Sequence, residues 1–250
     1  AIHGSGQVSV CARCGFVFVP IRRTADEIAA SWEEIYRDKG YTANWPMVIA
    51  RHTYVAEWYG QLYGWAGKAV LEIGAGEGRF LELARDRGAH PVGLEPAAAA
   101  CATLRGKDIF AHHGTIEQCG RVGTFDVVAI LWTLENCADC IAMLKAARAN
   151  LAEGGHVLVA TGSRIMVPYK KPISAYFSHN PPDCHAFRFS AASLSNAAGV
   201  ASLKRIAINR YLECDWLVQV FVAGDLQPAG SGDDPQAVLD FFKAWAREFA

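Results

Sequence analysis

Residues 70–80 read Val70-Leu71-Glu72-Ile73-Gly74-Ala75-Gly76-Glu77-Gly78-Arg79-Phe80, an apolar run followed by a glycine-rich turn. Glycine at alternate positions lets the backbone take positive φ and lets a ligand approach the main chain closely. A helical pattern follows directly, from Arg79 to Arg87. A strand, a glycine turn and a helix in this order form the nucleotide site of doubly wound α/β sheets. We therefore predict such a fold.

The spacing of these glycines distinguishes two kinds of nucleotide site. Dinucleotide-binding loops follow G-x-G-x-x-G, but position 79 is arginine here and the third glycine comes one residue early, at Gly78. The G-x-G-x-G spacing, with Glu72 two residues ahead of it, resembles motif I of class I S-adenosylmethionine-dependent methyltransferases. A nicotinamide-dependent oxidoreductase is the alternative, and Arg79 disfavours it.

A second apolar run ends in an acid at Glu95, 19 residues after Gly76. A carboxylate at the tip of this strand can accept hydrogen bonds from both ribose hydroxyls of an adenosine. The alternative is a solvated acid at a strand end. Because Glu95 follows a glycine loop at this distance, we predict that it binds ribose.

Two later segments resemble the same family. Phe125 to Leu131 has the composition of a strand buried on both faces, and residues 124–136 are similar to the family's "FDvV…vlEH" segment. Residues 151–161 resemble its "L-x-pGG-x-l-x-i" segment, in which a helix ends at a Gly-Gly turn and a strand follows. The resemblance implies cofactor contacts from Glu72, Gly74, Gly76, Gly78, Glu95, Pro96, Thr115, Ile116, Leu131 and Trp132.

The resemblance implies a Rossmann-like, doubly wound α/β sheet of seven strands with the last one antiparallel. Two apolar runs, near Ser202 to Ile208 and Trp216 to Ala223, are predicted to form the closing hairpin. We divide the chain into a partial zinc-ribbon-like module (1–35), an aromatic helical lid or linker (36–66), the methyltransferase domain (67–225) and a C-terminal helix (226–250). The chain has 250 residues, 52% of them hydrophobic, which suffices for this core.

The segment from Tyr36 to Trp65 is rich in aromatic side chains. Its spacing predicts a helix from Met47 to Tyr63, laid over the entrance to the glycine loop. Core packing explains most of these rings. Arg51, His52 and some of the rings are candidates for the wall of the cofactor or acceptor pocket.

Cys11 and Cys14 form a C-x-x-C-G pattern whose spacing suits one edge of a tetrahedral zinc site. The surrounding stretch resembles the second half of the zinc-binding module that precedes some methyltransferase domains, especially sugar C-methyltransferases. Zinc needs four ligands, and His3 is the only nearby addition apart from acidic residues. A zinc site and a vestigial hairpin without metal therefore both stay open. Cys137 and Cys140 are interpreted as ordinary cysteines facing a helix.

Methyl transfer from a sulfonium requires in-line positioning of the acceptor, and a hydroxyl or carbon acceptor benefits from a general base. His185 matches the family's histidine after the fifth strand, and His179 lies in the same loop, so both are catalytic candidates. A surface or hydrogen-bonding role is the alternative. Sugar C-methyltransferase relatives carry histidine and glutamate where this chain has Asn136 and Cys184. These two differences favour a second hypothesis, a catalytically silent cofactor-binding partner or regulatory module.

The charge and the apolar runs of the chain restrict the classes of partner that it can bind. A net charge of −1 and a pI of about 6.8 give no electrostatic footprint for nucleic acid. No apolar run approaches the roughly 20 residues needed to cross a bilayer. We predict a cytoplasmic methyltransferase that uses S-adenosylmethionine, with zinc as a second candidate cofactor. Its expected acceptor is a small molecule, such as a sugar, a nucleotide-sugar or another biosynthetic intermediate.

Overall fold

The computed structural model describes residues 8–38, 42–162, 172, 185–212, 216–226 and 232–248. Its strands are β1 (Ser9–Val10), β2 (Val17–Phe18), β3 (Ala69–Ile73), β4 (His90–Glu95), β5 (Phe110–His113), β6 (Phe125–Leu131), β7 (Leu151–Thr161), β8 (Phe187–Arg188), β9 (Leu203–Ile208) and β10 (Leu217–Ala223). Its helices are α1 (Ala25–Arg37), α2 (Pro46–Tyr63), α3 (Arg79–Arg85), α4 (Ala98–Gly106), α5 (Ile116–Cys119), α6 (Cys140–Ala149), α7 (Ala191–Val200) and α8 (Pro235–Glu248).

Seven strands form the main sheet in the order β5-β4-β3-β6-β7-β10-β9. The first five are parallel, and β10 runs antiparallel to both β7 and β9. The predicted seven-stranded α/β sheet with its closing antiparallel hairpin is confirmed. Strand order reverses between β3 and β6, so a crevice opens at their carboxyl ends, where ligands bind in such sheets.

Helices cover both faces of this sheet, which is why its central strands are almost continuously apolar. Val70 packs with α2 and α3 on one face, whereas Leu71 and Ile73 pack with α6 and α7 on the other. The burial of the strand β6 is nearly complete, from Val127 to Ile130. None of the described helices is long and apolar enough to cross a membrane.

A second, smaller sheet joins the N-terminal hairpin to the region after β7, in the order β1-β2-β8. It packs against α8 through a separate apolar cluster made by Val8, Val17, Val238, Phe242 and Trp245. The hairpin and the C-terminal helix thus share one small core. This arrangement gives the hairpin a structural role that needs no metal.

Two of the predicted features near glycines differ from the structure. The helix after the glycine loop ends at Arg85 rather than Arg87, because Gly88 and Ala89 donate hydrogen bonds back to the carbonyls of Arg85 and Ala84. The expected Gly-Gly turn before the fifth strand lies inside β7, which already begins at Leu151. The register between β6 and β7 shifts in this region, so the two glycines form an irregular strand segment and not a helix end.

Candidate active site

A cavity of about 350 Å³ opens at the carboxyl edge of the sheet. The ends of β3, β4 and β6 form its floor, and α1 and α2 cover it from the other side. This size lies within the range of small-molecule sites. The cavity therefore occupies the crevice that the strand order creates.

The glycine loop after β3 has three residues in the left-handed region, at φ values of 74°, 52° and 82°. A Cβ at Gly74 would collide with Thr133, and a Cβ at Gly76 would collide with the hydroxyl of Tyr36. Both of these glycines line the cavity. They allow a side chain or a ligand to lie directly on the backbone of the loop.

Gly78 allows the glycine loop to pack closely against α4. It lies outside the cavity lining, and a Cβ there would collide with Leu104 of α4. Gly78 precedes the first residue of α3 and has a left-handed backbone. The third glycine of the motif is thus required by helix packing, and its contact with the cofactor stays a prediction.

Glu95 at the tip of β4 contacts the glycine loop directly. Its Oε2 accepts a hydrogen bond from the Gly76 amide at 2.8 Å, and its Oε1 accepts one from the Ala97 amide at 2.9 Å. Burial raises the pKa of Glu95 to about 7, although these two amide bonds act in the opposite direction. A carboxylate retains further lone pairs for ligand hydroxyls.

Glu72 lies at the end of β3 and lines the same cavity. Its side chain is only 2% exposed, and its Oε2 has no hydrogen-bond partner among the described residues. Burial, with a smaller contribution from the charge of Glu95, raises the pKa of Glu72 well above its ordinary value. A buried carboxylate without a partner costs stability, which is typical of a ligand-binding group.

Glu72→Gln is therefore expected to stabilise the protein at pH 8. In the folded protein Glu72 keeps its proton to a higher pH than in the unfolded chain, so its contribution to stability falls as the pH rises above 4.5. Glutamine escapes this loss, and we expect a gain on the order of 1 kcal/mol, or roughly 2–4 °C in Tm. Thermal unfolding at pH 8 and pH 5 measures it, and the gain should shrink at pH 5. Glu153→Gln, at an exposed position, is the control; an equal Tm shift in both variants would contradict the prediction.

Trp132 forms the wall of the cavity beyond the end of β6. It has φ = 51°, a strained value for a bulky side chain. The guanidinium carbon of Arg51 lies 4.3 Å from the centre of its ring, and the ring of His52 approaches edge-on at 5.2 Å. Helix α2 and the end of β6 thus bring Trp132, Arg51 and His52 together in one wall of the cavity.

His52 is neutral at this site. Burial, followed by the nearby charges of Arg51 and Arg79, lowers the pKa of His52 to about 3. Its Nδ1 is buried and has no hydrogen-bond partner in the portion of the chain that is described. A neutral imidazole can accept or donate a hydrogen bond to a ligand, according to its tautomer.

Arg79 is the first residue of α3 and also lines the cavity. Its Nε is buried and has no hydrogen-bond partner within the described ranges. Arg79 and Glu72 thus present a basic and an acidic side chain to one cavity, each with a buried polar atom that has no hydrogen-bond partner among the described residues. Buried charges are normally paired, so this arrangement suits a ligand that carries both charges.

The other predicted cofactor residues also line the cavity: Pro96, Thr115, Ile116 and Leu131. The Thr115 hydroxyl accepts a hydrogen bond from the Gln118 amide and caps α5, so its polar atom is already engaged. His185 lines the cavity as well. His179 and Cys184 lie outside the described residues.

Asn136, which stands where the sequence resemblance predicts a histidine, is buried in the cavity wall. Its Nδ2 donates to the carbonyl of Trp132 at 3.1 Å, and a carbonyl can only accept. The orientation of the amide is therefore set, and its Oδ1 is left without a hydrogen-bond partner among the described residues. Asn136 can accept a hydrogen bond from a ligand but cannot act as a base.

The role of α1 was missed by sequence reasoning. Trp32 and Tyr36 of this helix line the cavity, although no residue of α1 is fully buried. Hydrogen bonds hold it there: the Ala98 amide donates to the Glu33 carboxylate, and the side-chain amide of Gln118 donates to the Asp26 carboxylate. The capping box formed by Thr24 with Glu27, the signature T-x-x-E, was the local signal that marks its beginning.

The predicted zinc ligands Cys11 and Cys14 lie in the turn between β1 and β2. Among the residues that the structure describes, no group of three or more histidine, cysteine, aspartate or glutamate side chains could hold a metal. A structural zinc site requires four ligands. Two thiols do not complete such a site.

Comparison with known proteins agrees with this geometry. A model of the family described as "Methyltransferase domain" matches residues 50–203. The ubiquinone biosynthesis O-methyltransferase of Marinobacter nauticus is 32% identical over 109 residues, which are 40% of this chain and 46% of that protein. The enzyme of the same name from Pseudomonas aeruginosa is 33% identical over 115 residues, or 43% and 50% of the two chains. The chain spans about half the length of the curated relatives it matches.

Solved structures with the same fold include methyltransferases with bound S-adenosylhomocysteine. The 1,6-didemethyltoxoflavin-N1-methyltransferase of Burkholderia thailandensis gives a TM-score of 0.60 at 13% identity, covering 84% of this chain and 96% of that one. Magnesium protoporphyrin IX methyltransferase from Synechocystis gives 0.57 at 13% identity, with 79% and 95% covered. At these identities the likeness shows the fold alone. With the family model over more than half of its length, this chain belongs to the methyltransferase domain family and has the class I fold of S-adenosylmethionine-dependent methyltransferases.

Proposed function

We propose that this protein binds S-adenosylmethionine in the cavity and transfers its methyl group to a small-molecule acceptor. The observation that carries the proposal is the contact between Glu95 and the left-handed loop at Gly76, beside a cavity of suitable size. This contact brings the carboxylate of Glu95, which would bind the ribose, next to a backbone that a ligand can approach closely. The proteins of similar fold that hold S-adenosylhomocysteine support the same cofactor.

The residues present fit this cofactor. Glu95 would bind the ribose hydroxyls, and Thr115 with Ile116 would border the adenine. Glu72 and Arg79 would take the ammonium and carboxylate of the amino-acid end, because each has a buried polar atom without a partner among the described residues. When bound, the cofactor supplies a methyl group that is already strongly electrophilic.

The protein's own contribution is positioning, water exclusion and proton removal. Trp32 and Tyr36 of α1 cover the cavity from one side, and the wall at Trp132 closes it from another. We propose that His185 removes the proton of the acceptor, with His179 as the second candidate. Asn136 accepts a hydrogen bond from a hydroxyl or amine of the acceptor through its Oδ1, which has no partner among the described residues.

The acceptor class follows from these groups and from the relatives. A hydroxyl acceptor suits His185 as base, and the curated relatives named above are O-methyltransferases. The sugar or nucleotide-sugar acceptor predicted from the sequence remains a narrower proposal, which Asn136 weakens. Zinc is not included, because Cys11 and Cys14 find no further ligand among the described residues.

Glu95→Ala tests the cofactor assignment. We expect the affinity for S-adenosylmethionine to fall by about 1.5–3 kcal/mol, the range for hydrogen bonds to a charged group. This loss corresponds to roughly tenfold to a hundredfold in Kd. Isothermal calorimetry with S-adenosylmethionine, S-adenosylhomocysteine and NAD measures it, with circular dichroism to confirm that the variant is folded. Unchanged affinity in a folded variant would remove Glu95 from the site, and tighter binding of NAD would contradict the proposed activity.

The same binding measurement, repeated at several pH values, tests the role of the Glu95 charge. The ribose hydroxyls favour the ionised carboxylate, so the affinity of the wild type should rise as Glu95 loses its proton near pH 7. Glu95→Gln is the matched control, since it keeps an acceptor oxygen but does not titrate. Its affinity should be nearly constant between pH 6 and 8. An equal pH dependence in both proteins would assign the titration to another group.

A further inference from the structure

The C-x-x-C pair of the N-terminal hairpin has no role in the proposed methyl-transfer site, and the described residues supply no further ligand to complete the zinc site that the family resemblance implies. We propose that Cys11 and Cys14 are a dithiol that forms a reversible disulfide by exchange with a low-molecular-weight disulfide such as oxidised glutathione. This inference does not depend on the proposed methyltransferase activity.

The turn that carries the two thiols is closed and well defined. The Cys11 amide donates to the carbonyl of Phe16 at 2.8 Å, and the Gly15 amide donates to the carbonyl of Cys11 at 2.9 Å. These bonds close one tight turn that carries both Cys11 and Cys14. Both side chains are partly exposed, so a small disulfide can reach them.

The space beside this turn is occupied by the segment that precedes α8. A Cβ at Gly232 would collide with the carbonyl oxygen of Cys14, and a Cβ at Gly15 would lie 2.7 Å from the carbonyl oxygen of Asp233. The Asp233 carboxylate accepts a hydrogen bond from the Ser190 hydroxyl at 2.6 Å, at the N-terminus of α7. The carboxylate of Asp233, which follows Gly232 beside the turn, is therefore engaged at the cap of α7.

The other described cysteines contrast with this pair. Cys101, Cys137 and Cys140 are buried, and Cys119 is partly exposed but has no cysteine at C-x-x-C spacing. Cys137 and Cys140 have the same spacing as the hairpin pair, yet they are only 5% and 4% exposed. Within the same chain, this buried pair is therefore the control for the effect of exposure on oxidation.

The exchange balances in two steps. The thiolate of one hairpin cysteine attacks a sulfur of oxidised glutathione, forming a mixed disulfide and releasing one glutathione thiolate. The thiolate of the second cysteine then attacks the protein sulfur of that mixed disulfide, forming the Cys11–Cys14 bond and releasing the second glutathione. Two protein thiols are oxidised and one glutathione disulfide is reduced, so no other oxidant is needed.

The test uses the full chain in mixtures of oxidised and reduced glutathione. After acid quenching and alkylation, peptide mass spectrometry should find the peptide with Cys11 and Cys14 unalkylated and two hydrogens lighter. Excess reduced glutathione should restore alkylation of both residues, and Cys137 and Cys140 should stay reduced throughout. Cys14→Ser should stop at one glutathione adduct on Cys11, and Cys11→Ser at one on Cys14.

Three results would overturn the proposal. The first is alkylation of both hairpin cysteines after equilibration with oxidised glutathione. The second is equal oxidation of the buried Cys137 and Cys140 pair, which would indicate unfolding instead of a site. The third is one zinc per chain in the purified protein by elemental analysis, with both hairpin thiols protected until the metal is removed. The measurements on wild-type protein decide the matter even if a serine variant misfolds.

Discussion

Gly76→Val is expected to reduce S-adenosylmethionine binding on the order of a hundredfold or more, about 2.8 kcal/mol. Gly76 has φ = 52°, which a β-branched residue adopts only with strain. Its Cβ would also collide with the hydroxyl of Tyr36. The amide of Gly76 would then be displaced from Glu95, so the loop and the ribose carboxylate are both disturbed. Calorimetry with S-adenosylmethionine measures the effect.

Gly67→Val is the control that separates the effect of backbone strain from the effect of the collision at Gly76. Gly67 has φ = 75°, but a Cβ there meets nothing within 4 Å. This control should lose stability through strain while keeping cofactor affinity within a few-fold of wild type. If the two variants bind the cofactor equally well, the close approach at Gly76 has no part in cofactor binding.

His185→Ala is expected to lower methyl transfer by about 10²-fold or more, the lower range of general-base contributions. S-adenosylmethionine affinity should stay within a few-fold, because His185 is assigned to the acceptor side of the cavity. The remaining activity should rise with pH as solvent base takes over. The assay follows transfer of a labelled methyl group from S-adenosylmethionine to a panel of phenol, sugar and amine acceptors.

His90→Ala is the matched control for this loss, since His90 is an exposed histidine outside the cavity. An effect of His185→Ala on KM alone would make His185 an acceptor-positioning residue rather than the base. Loss of turnover in His52→Gln, with His185→Ala active, would move the base to His52. If the wild-type protein binds the cofactor but methylates no acceptor, the proposed enzyme activity is wrong. The catalytically silent cofactor-binding module then takes its place.

The main sheet could be predicted because many of its strands are apolar runs that begin or end at glycine or acidic residues. The strand predicted at Phe125 to Leu131 has the same bounds in the structure, and the helix predicted from Met47 begins one residue earlier, at Pro46. Such runs report burial on both faces, which is a local property of the chain. The Gly-Gly segment misled the prediction because a glycine pair suits a helix end and an irregular strand equally well.

The contacts of α1 could not be predicted in the same way. Asp26 reaches Gln118 across 92 positions of sequence, and Glu33 reaches Ala98 across 65. Neither residue carries a local pattern that identifies its partner. The helix itself has a sequence signature, whereas its position over the cavity depends on pairs that only the folded chain brings together.

The sequence by itself determined the apolar strands and the glycine loop that follows β3, because apolar periodicity and glycine spacing are local properties of the chain, and the resemblance carried by these motifs implied the seven-stranded sheet. Only the tertiary structure decided the purpose of each glycine: Gly74 and Gly76 make room for Thr133 and Tyr36, whereas Gly78 makes room for Leu104. It also decided that Glu72 and Arg79 face one cavity, each with a buried polar atom left unpaired among the described residues. These roles arise from side chains far apart in sequence, whose approach depends on helix packing and not on the composition of any one segment.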